Sequence, residues 1–170
     1  MSSAQKVLIF GGLTLAAFGM FYGLHYALFV EHQTLDGMGA SLSQAFVAAA
    51  EQHPAESGAA LAGYARTKYV YVRQVDVHSH WIGLAMLLIV LGAAFDHVAF
   101  AERTRLWIAL ALLTGAVVFP LGVLLQTVVS GLLPSALAIV GSGLVIAALA
   151  FTIIGFAGLG SQKFKASPSA

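Results

Sequence analysis

Six histidines and no cysteine set the chemistry open to this chain. Two of the histidines stand one residue apart in Asp76-Val77-His78-Ser79-His80-Trp81, where an apolar run to Ala94 begins. An ionisable side chain at the mouth of a membrane span is costly to place, so it is a functional-site hypothesis by default. On a regular helix the two rings point about 200° apart, at roughly 100° per residue. They cannot chelate one ion together, but they can serve two sites on opposite faces. Without cysteine there are no disulfides, thiolate metal sites, cysteine-ligated iron–sulfur clusters or C-x-x-C-H haem attachment. A redox centre here must be held by histidine, methionine, tyrosine or carboxylate.

The elements that would position these rings follow from hydropathy. The 170 residues are 59% hydrophobic and only 9% charged, with mean hydropathy +0.90. Soluble domains carry about 25% charged residues, so the chain reads as all-α, a single integral membrane domain over 1–170. Its net charge of +1 gives no basis for nucleic-acid binding. Four spans are expected, at about 7–30, 78–100, 106–133 and 135–158. They would form a four-helix bundle with a short helical extracytoplasmic cap over 31–76, and a frayed tail over 159–170. The first span is too long for a signal-peptide core and no small-residue cleavage site follows it, so it reads as retained. In the cap, Ser41 to Gln52 and Ser57 to Tyr71 read as two short helices folded against the membrane surface, separated by His53-Pro54. Tyr64, Tyr69, Tyr71 and Trp81 suit an interfacial aromatic belt. Gly131-Leu132-Leu133-Pro134 is a tight link, which makes the last two spans antiparallel neighbours.

Basic residues orient the bundle. Lys6, Arg103, Arg105, Lys163 and Lys165 fall on one side; Arg66, Lys68 and Arg73 fall on the other, diluted by five carboxylates. Both termini are therefore expected in the cytoplasm, with 31–76 in the periplasm of a bacterial inner membrane. That topology gathers His25, His32, His53, His78 and His80 at the outer side, near Glu31, Asp36 and Asp76. His97 lies 19 residues of helix from His78, roughly 29 Å at 1.5 Å per residue, at the inner side.

In the first span, Gly12, Ala16, Gly19 and Gly23 make a small face, and Gly19-x-x-x-Gly23 lets helix backbones approach closely. Phe18, Tyr22, His25, Phe29 and His32 make a second stripe. In the second span the side shared by His78, Ala85, Ile89, Gly92 and Asp96 is small and acidic and suits the bundle interior. The side shared by His80, Leu84, Leu87, Leu91 and Ala94 suits lipid or a partner subunit. His78 is thus expected to face inward and to meet His25 at the same depth.

The run Asp76-Val77-His78-Ser79-His80-Trp81-Ile82-Gly83-Leu84 resembles the His-x-His helix of haem–copper oxidase catalytic subunits. In that family, histidines two apart ligate two haems on opposite faces of one helix near the outer membrane surface. The likeness covers about a dozen of the 170 residues. The family's other helices, its copper-binding histidines and its covalent His–Tyr pair have no counterpart here, and serine stands where an aromatic residue is usual. The resemblance implies a haem-ligand role for His78 and His80 and does not imply oxidase activity.

Three functions are consistent with these residues. The first is a membrane electron-transfer subunit of a larger redox complex, binding b-type haem near the outer face. His25 and His78 would be axial ligands, His80 a second candidate, with Tyr22 and Gln126 beside the cofactor. Bis-histidine ligation leaves no open coordination site, so this would be electron transfer without bond chemistry. The second is a cofactor-free accessory or assembly subunit, with His25, His78 and Gln126 tying helices together. The third is a copper or zinc site using His25, His78, His80, His32 and Asp76, since imidazole plus carboxylate suits those ions. Membrane lipid and other membrane subunits are the expected partners in each case.

Overall fold

Ser2 opens the chain's first helix by accepting from the Gln5 backbone N–H, while the Gln5 side chain reaches back to the Ser2 N–H, a reciprocal cap. In the computed structural model, which describes residues 1–129 and 131–165 with side chains through Gly158, helix α1 spans Ser3–Phe29. Helix α2 spans Glu31–Ala50, α3 Pro54–Ala94, α4 Glu102–Leu125 and α5 Leu132–Lys165. A 3-10 turn, Phe95–His97, follows α3. There are no strands among the described residues. Four helices, α1, α3, α4 and α5, are long and apolar enough to cross a membrane, and the fold fits an integral membrane protein.

The cap departs from the expected pair of short helices. α2 starts at Glu31, joined to α1 through Val30 alone. α3 is one helix of 41 residues, about 62 Å long and so about twice the thickness of a hydrocarbon core. Its boundary was expected near His78 because hydropathy changes there. Hydropathy sets depth in a bilayer, but it does not end a helix, and no proline or glycine stands between Gly63 and Gly83 to do so. α3 runs antiparallel to α1 along its second half and to α2 along its first. Ser57 donates its hydroxyl to the Ala45 carbonyl at 3.0 Å in that upper pair. The 31–76 region is therefore an upright helical hairpin continuous with the bundle.

Three other boundaries move. The third span ends at Leu125, not 133. Thr127 turns its hydroxyl onto the Leu124 carbonyl at 2.7 Å, and backbone bonds from Thr127 and Val128 close the last turn. Gln126 and Thr127 are polar, but the apolar Val128, Val129, Leu132 and Leu133 that follow carried the expected span past this turn. The second span ends in the Phe95–His97 turn, and the last helix runs to Lys165, into the expected tail. The rest of that tail, 166–170, lies outside the described residues.

Small residues close both major seams. On α1, Gly12 lies against the Ala85 carbonyl and Gly19 against Trp81 and Ile82 of α3. On α3, Gly92 lies against Leu8 and Ile9. The α4–α5 pair meets at Gly115, Gly122 and Gly141, each directly on the other helix's backbone. Backbone approach of this kind substitutes for a hydrophobic driving force that lipid cannot supply. α4 also packs on α1 and α3, whereas α5 packs chiefly on α4. The Ser3 N–H donates to Glu102 at 2.9 Å, and Arg105 pairs with Asp96 and Glu102, tying off the end of the bundle away from the hairpin.

Candidate functional site

α3 carries Gln74, Val77, Trp81, Ala85, Leu88 and Gly92 along one stripe, and the last five are buried. The two paired histidines flank that stripe, one on each side. His78 points to α1: its Nδ1–H donates to the Gly19 carbonyl at 3.0 Å, and its ring rests directly on Gly23. His80 points to α4: its ring meets Phe119 edge to face at 4.7 Å. Its Nδ1–H donates to the Asp76 carbonyl, one turn back, at 2.6 Å. The two rings do serve opposite sides of one helix. The sides differ from those expected in one respect, because the His80 side is covered by α4 and both rings are half-buried.

These bonds fix the protonation of each ring. A carbonyl oxygen only accepts, so Nδ1 must carry the hydrogen in both cases. In the neutral ring Nε2 then holds the free lone pair. This is the orientation in which proteins present imidazole to metals, with the second nitrogen held by a carbonyl or carboxylate.

Trp81 sits between the two histidines, 1% exposed. Phe18 and Tyr22 of α1 pack edge-on against its indole at 4.8 and 5.3 Å. The aromatic belt assigned from sequence thus contains one residue, Trp81, that belongs to the core. Three buried polar atoms near this level have no hydrogen-bond partner: Trp81 Nε1, Gln74 Oε1 and the Tyr26 hydroxyl. Sequence reading did not single out Gln74 or Tyr26. The signal was available in Gln74's place on the apolar stripe of α3, seven residues before Trp81.

The remaining site residues are dispersed. Gly23 faces His78, and His25, two residues on, is turned about 200° round α1 from it. His25 is exposed and lies 5.4 Å from the Phe29 ring. The structure therefore does not bring the His25 and His78 rings together. Gly19 and Gly23 close the seam onto α3, which leaves no gap there for a macrocycle held by both. His32 is exposed on α2. His53 occupies the N-cap position of α3 without a side-chain capping bond, 3.8 Å from both Glu51 and Glu56. His97 bonds the Ala94 carbonyl in the opposite end turn. Asp76 contributes its backbone carbonyl to His80. Tyr22 packs on Trp81, while Gln126 lines a separate polar pocket with Tyr69 and Arg73. Among the described residues no three histidine or carboxylate side chains converge as a metal-holding group.

The fold and this site define the class as a small helical membrane bundle with an imidazole pair at its hairpin end. No protein-family model, curated protein or solved structure matches the chain.

Proposed function

We propose that this chain is a small integral membrane subunit of a larger redox complex, with His78 and His80 as its ligand-bearing pair. The observation that carries this reading is the shared orientation of the two rings. Each Nδ1–H is held by a backbone carbonyl, and each Nε2 is left with its lone pair. A b-type haem bound there would supply one-electron transfer, and burial beside Trp81 and Phe119 would tune its potential. His78 is closed against Gly23 of α1 and His80 against Phe119 of α4. A haem on either ring would therefore need both a displacement of that covering helix and its second axial ligand from a neighbouring subunit. The complex, rather than the isolated chain, is the unit to assay. The excess of basic residues at the end away from the hairpin supports cytoplasmic termini in a bacterial inner membrane.

A second reading has its own support. The His78 bond to Gly19 joins two helices, which is what a cofactor-free accessory subunit would use its histidine for. The test is a reduced-minus-oxidised spectrum with metal analysis, on the complex captured through a tag on this chain. The redox reading expects a low-spin haem signal that is lost in His78→Ala or His80→Ala. Stoichiometric copper or zinc without haem would move the assignment to a metal site on the same rings. A colourless, metal-free complex would leave the accessory role standing.

A further inference from the structure

At the hairpin end of the bundle, α3 passes the turn between α4 and α5. A pocket of about 350 Å³ opens there, lined by Tyr69, Arg73, Gln126, Val129, Gly131 and Ser135. Arg73 is its charged member. The guanidinium stands 5.2 Å from the centre of the Tyr69 ring. No carboxylate pairs with it among the described residues, whereas Arg105 at the other end holds both Asp96 and Glu102.

Depth gives this arrangement a meaning. Arg73 and Phe95 are 22 residues apart on α3 and its end turn, about 33 Å at 1.5 Å per residue. A hydrocarbon core is about 30 Å thick. With the Asp96–Arg105 end at one interface, Arg73 stands at the other, among lipid headgroups. Beside the pocket, the turn that closes α4 and the first turn of α5 present bare apolar side chains: Val128, Leu132 and Leu133 are 76%, 84% and 67% exposed. A polar, cationic pocket next to an apolar ledge matches a molecule with an anionic head and hydrocarbon chains.

We infer that this pocket binds the phosphate of a phospholipid headgroup, with Arg73 as the phosphate ligand. Gln126, Ser135 and the Tyr69 hydroxyl supply hydrogen-bonding groups, and the acyl chains run along Leu132 and Leu133. Arginine suits the role because its planar fork matches phosphate oxygens and it is weakly hydrated. The apolar ledge favours a lipid over free phosphate.

The test uses the full chain in a neutral detergent and reads thermal stability and bound lipid by native mass spectrometry. Dioleoylphosphatidylglycerol is compared with dioleoylglycerol, which has the same chains without phosphate, and with inorganic phosphate. The lipid with phosphate should bind and stabilise the wild type, and the other two should not. Arg73→Gln should weaken that binding by about tenfold, the scale of a lost hydrogen bond to a charged group. Lys6→Gln, a basic residue at the opposite end, should leave it unchanged. Should Arg73→Gln not fold, Ser135→Ala and Gln126→Ala in the pocket wall are measured instead, and each should weaken binding. Equal binding by the pocket variants and the wild type would overturn the site. Dioleoylglycerol binding as well as the phospholipid would overturn phosphate recognition. Inorganic phosphate matching the phospholipid would overturn the lipid as the source.

Discussion

The His78 Nδ1–H reaches across 59 residues of sequence to donate to the Gly19 carbonyl at 3.0 Å. The bond exists because Gly23, one turn further along α1, has no side chain to hold the ring away. Gly23→Leu should therefore push His78 off α1 and break the bond. The expected outcome is loss of folded yield or a lowered thermal midpoint in detergent. Gly83→Ala is the matched control, since nothing lies within 4 Å of a Cβ there. Equal stability of both variants would show that the α1–α3 seam is not built on this contact.

Removing the His78 ring separates its two possible contributions. His78→Ala deletes one interhelical hydrogen bond, worth about 0.6 kcal/mol in a membrane. Stability should fall slightly, by more than for His25→Ala, whose ring is exposed on α1. A fall of several kcal/mol would mean that the ring carries more than this single bond.

Trp81 should be the side chain whose loss costs most. It is 1% exposed and clamped by Phe18 and Tyr22. Trp81→Ala should cost about 3 kcal/mol or more, as large aromatic deletions from packed interiors do. Trp107, 65% exposed, should be replaceable by phenylalanine without measurable loss. In that Trp107→Phe background, Trp81 fluorescence should resist water-soluble quenchers. Quenching by iodide at the rate of free tryptophan would place the indole outside the core.

The continuity of α3 is directly measurable. Spin labels at Ala65 and Met86, both exposed, are separated by 21 residues of uninterrupted helix, about 32 Å. A narrow distance distribution near that value is expected in detergent. Val75→Pro should broaden it, because a proline inside a helix costs about 3 kcal/mol. A short or broad distribution in the unmodified background would mean that the chain bends where its hydropathy changes.

The orientation expected from the basic residues has its own test. Cysteines at Ser3, in the first turn of α1, and at Ala55, in the first turn of α3 just past the far end of α2, stand at opposite ends of the bundle. With a membrane-impermeant reagent applied to sealed inner-membrane vesicles of known sidedness, only one should label from a given side. The Ala55 site should be the periplasmic one. Labelling of Ser3 from the periplasmic side would reverse the orientation of the bundle.

The sequence by itself determined that the chain is helical, that four of its helices suit a bilayer, and that His78 and His80 face different ways. Those properties follow from local rules: apolar run length and about 100° of turn per residue. It also marked Gly19 and Gly23 as a close-approach face, because small residues at helical spacing serve that purpose wherever helices meet in lipid. What lies opposite each face is a pairwise property that no single segment carries, so only tertiary structure decided it. Packing put His78 on Gly19 and Gly23, turned His25 away and covered His80 with Phe119 of α4. It drew Trp81 out of the supposed interfacial belt into the core and carried Gln126 to Arg73 instead of to the histidines. The long α3 was missed for a related reason. Hydropathy reports where water ends, while backbone hydrogen bonding continues across that boundary wherever no proline or glycine interrupts it.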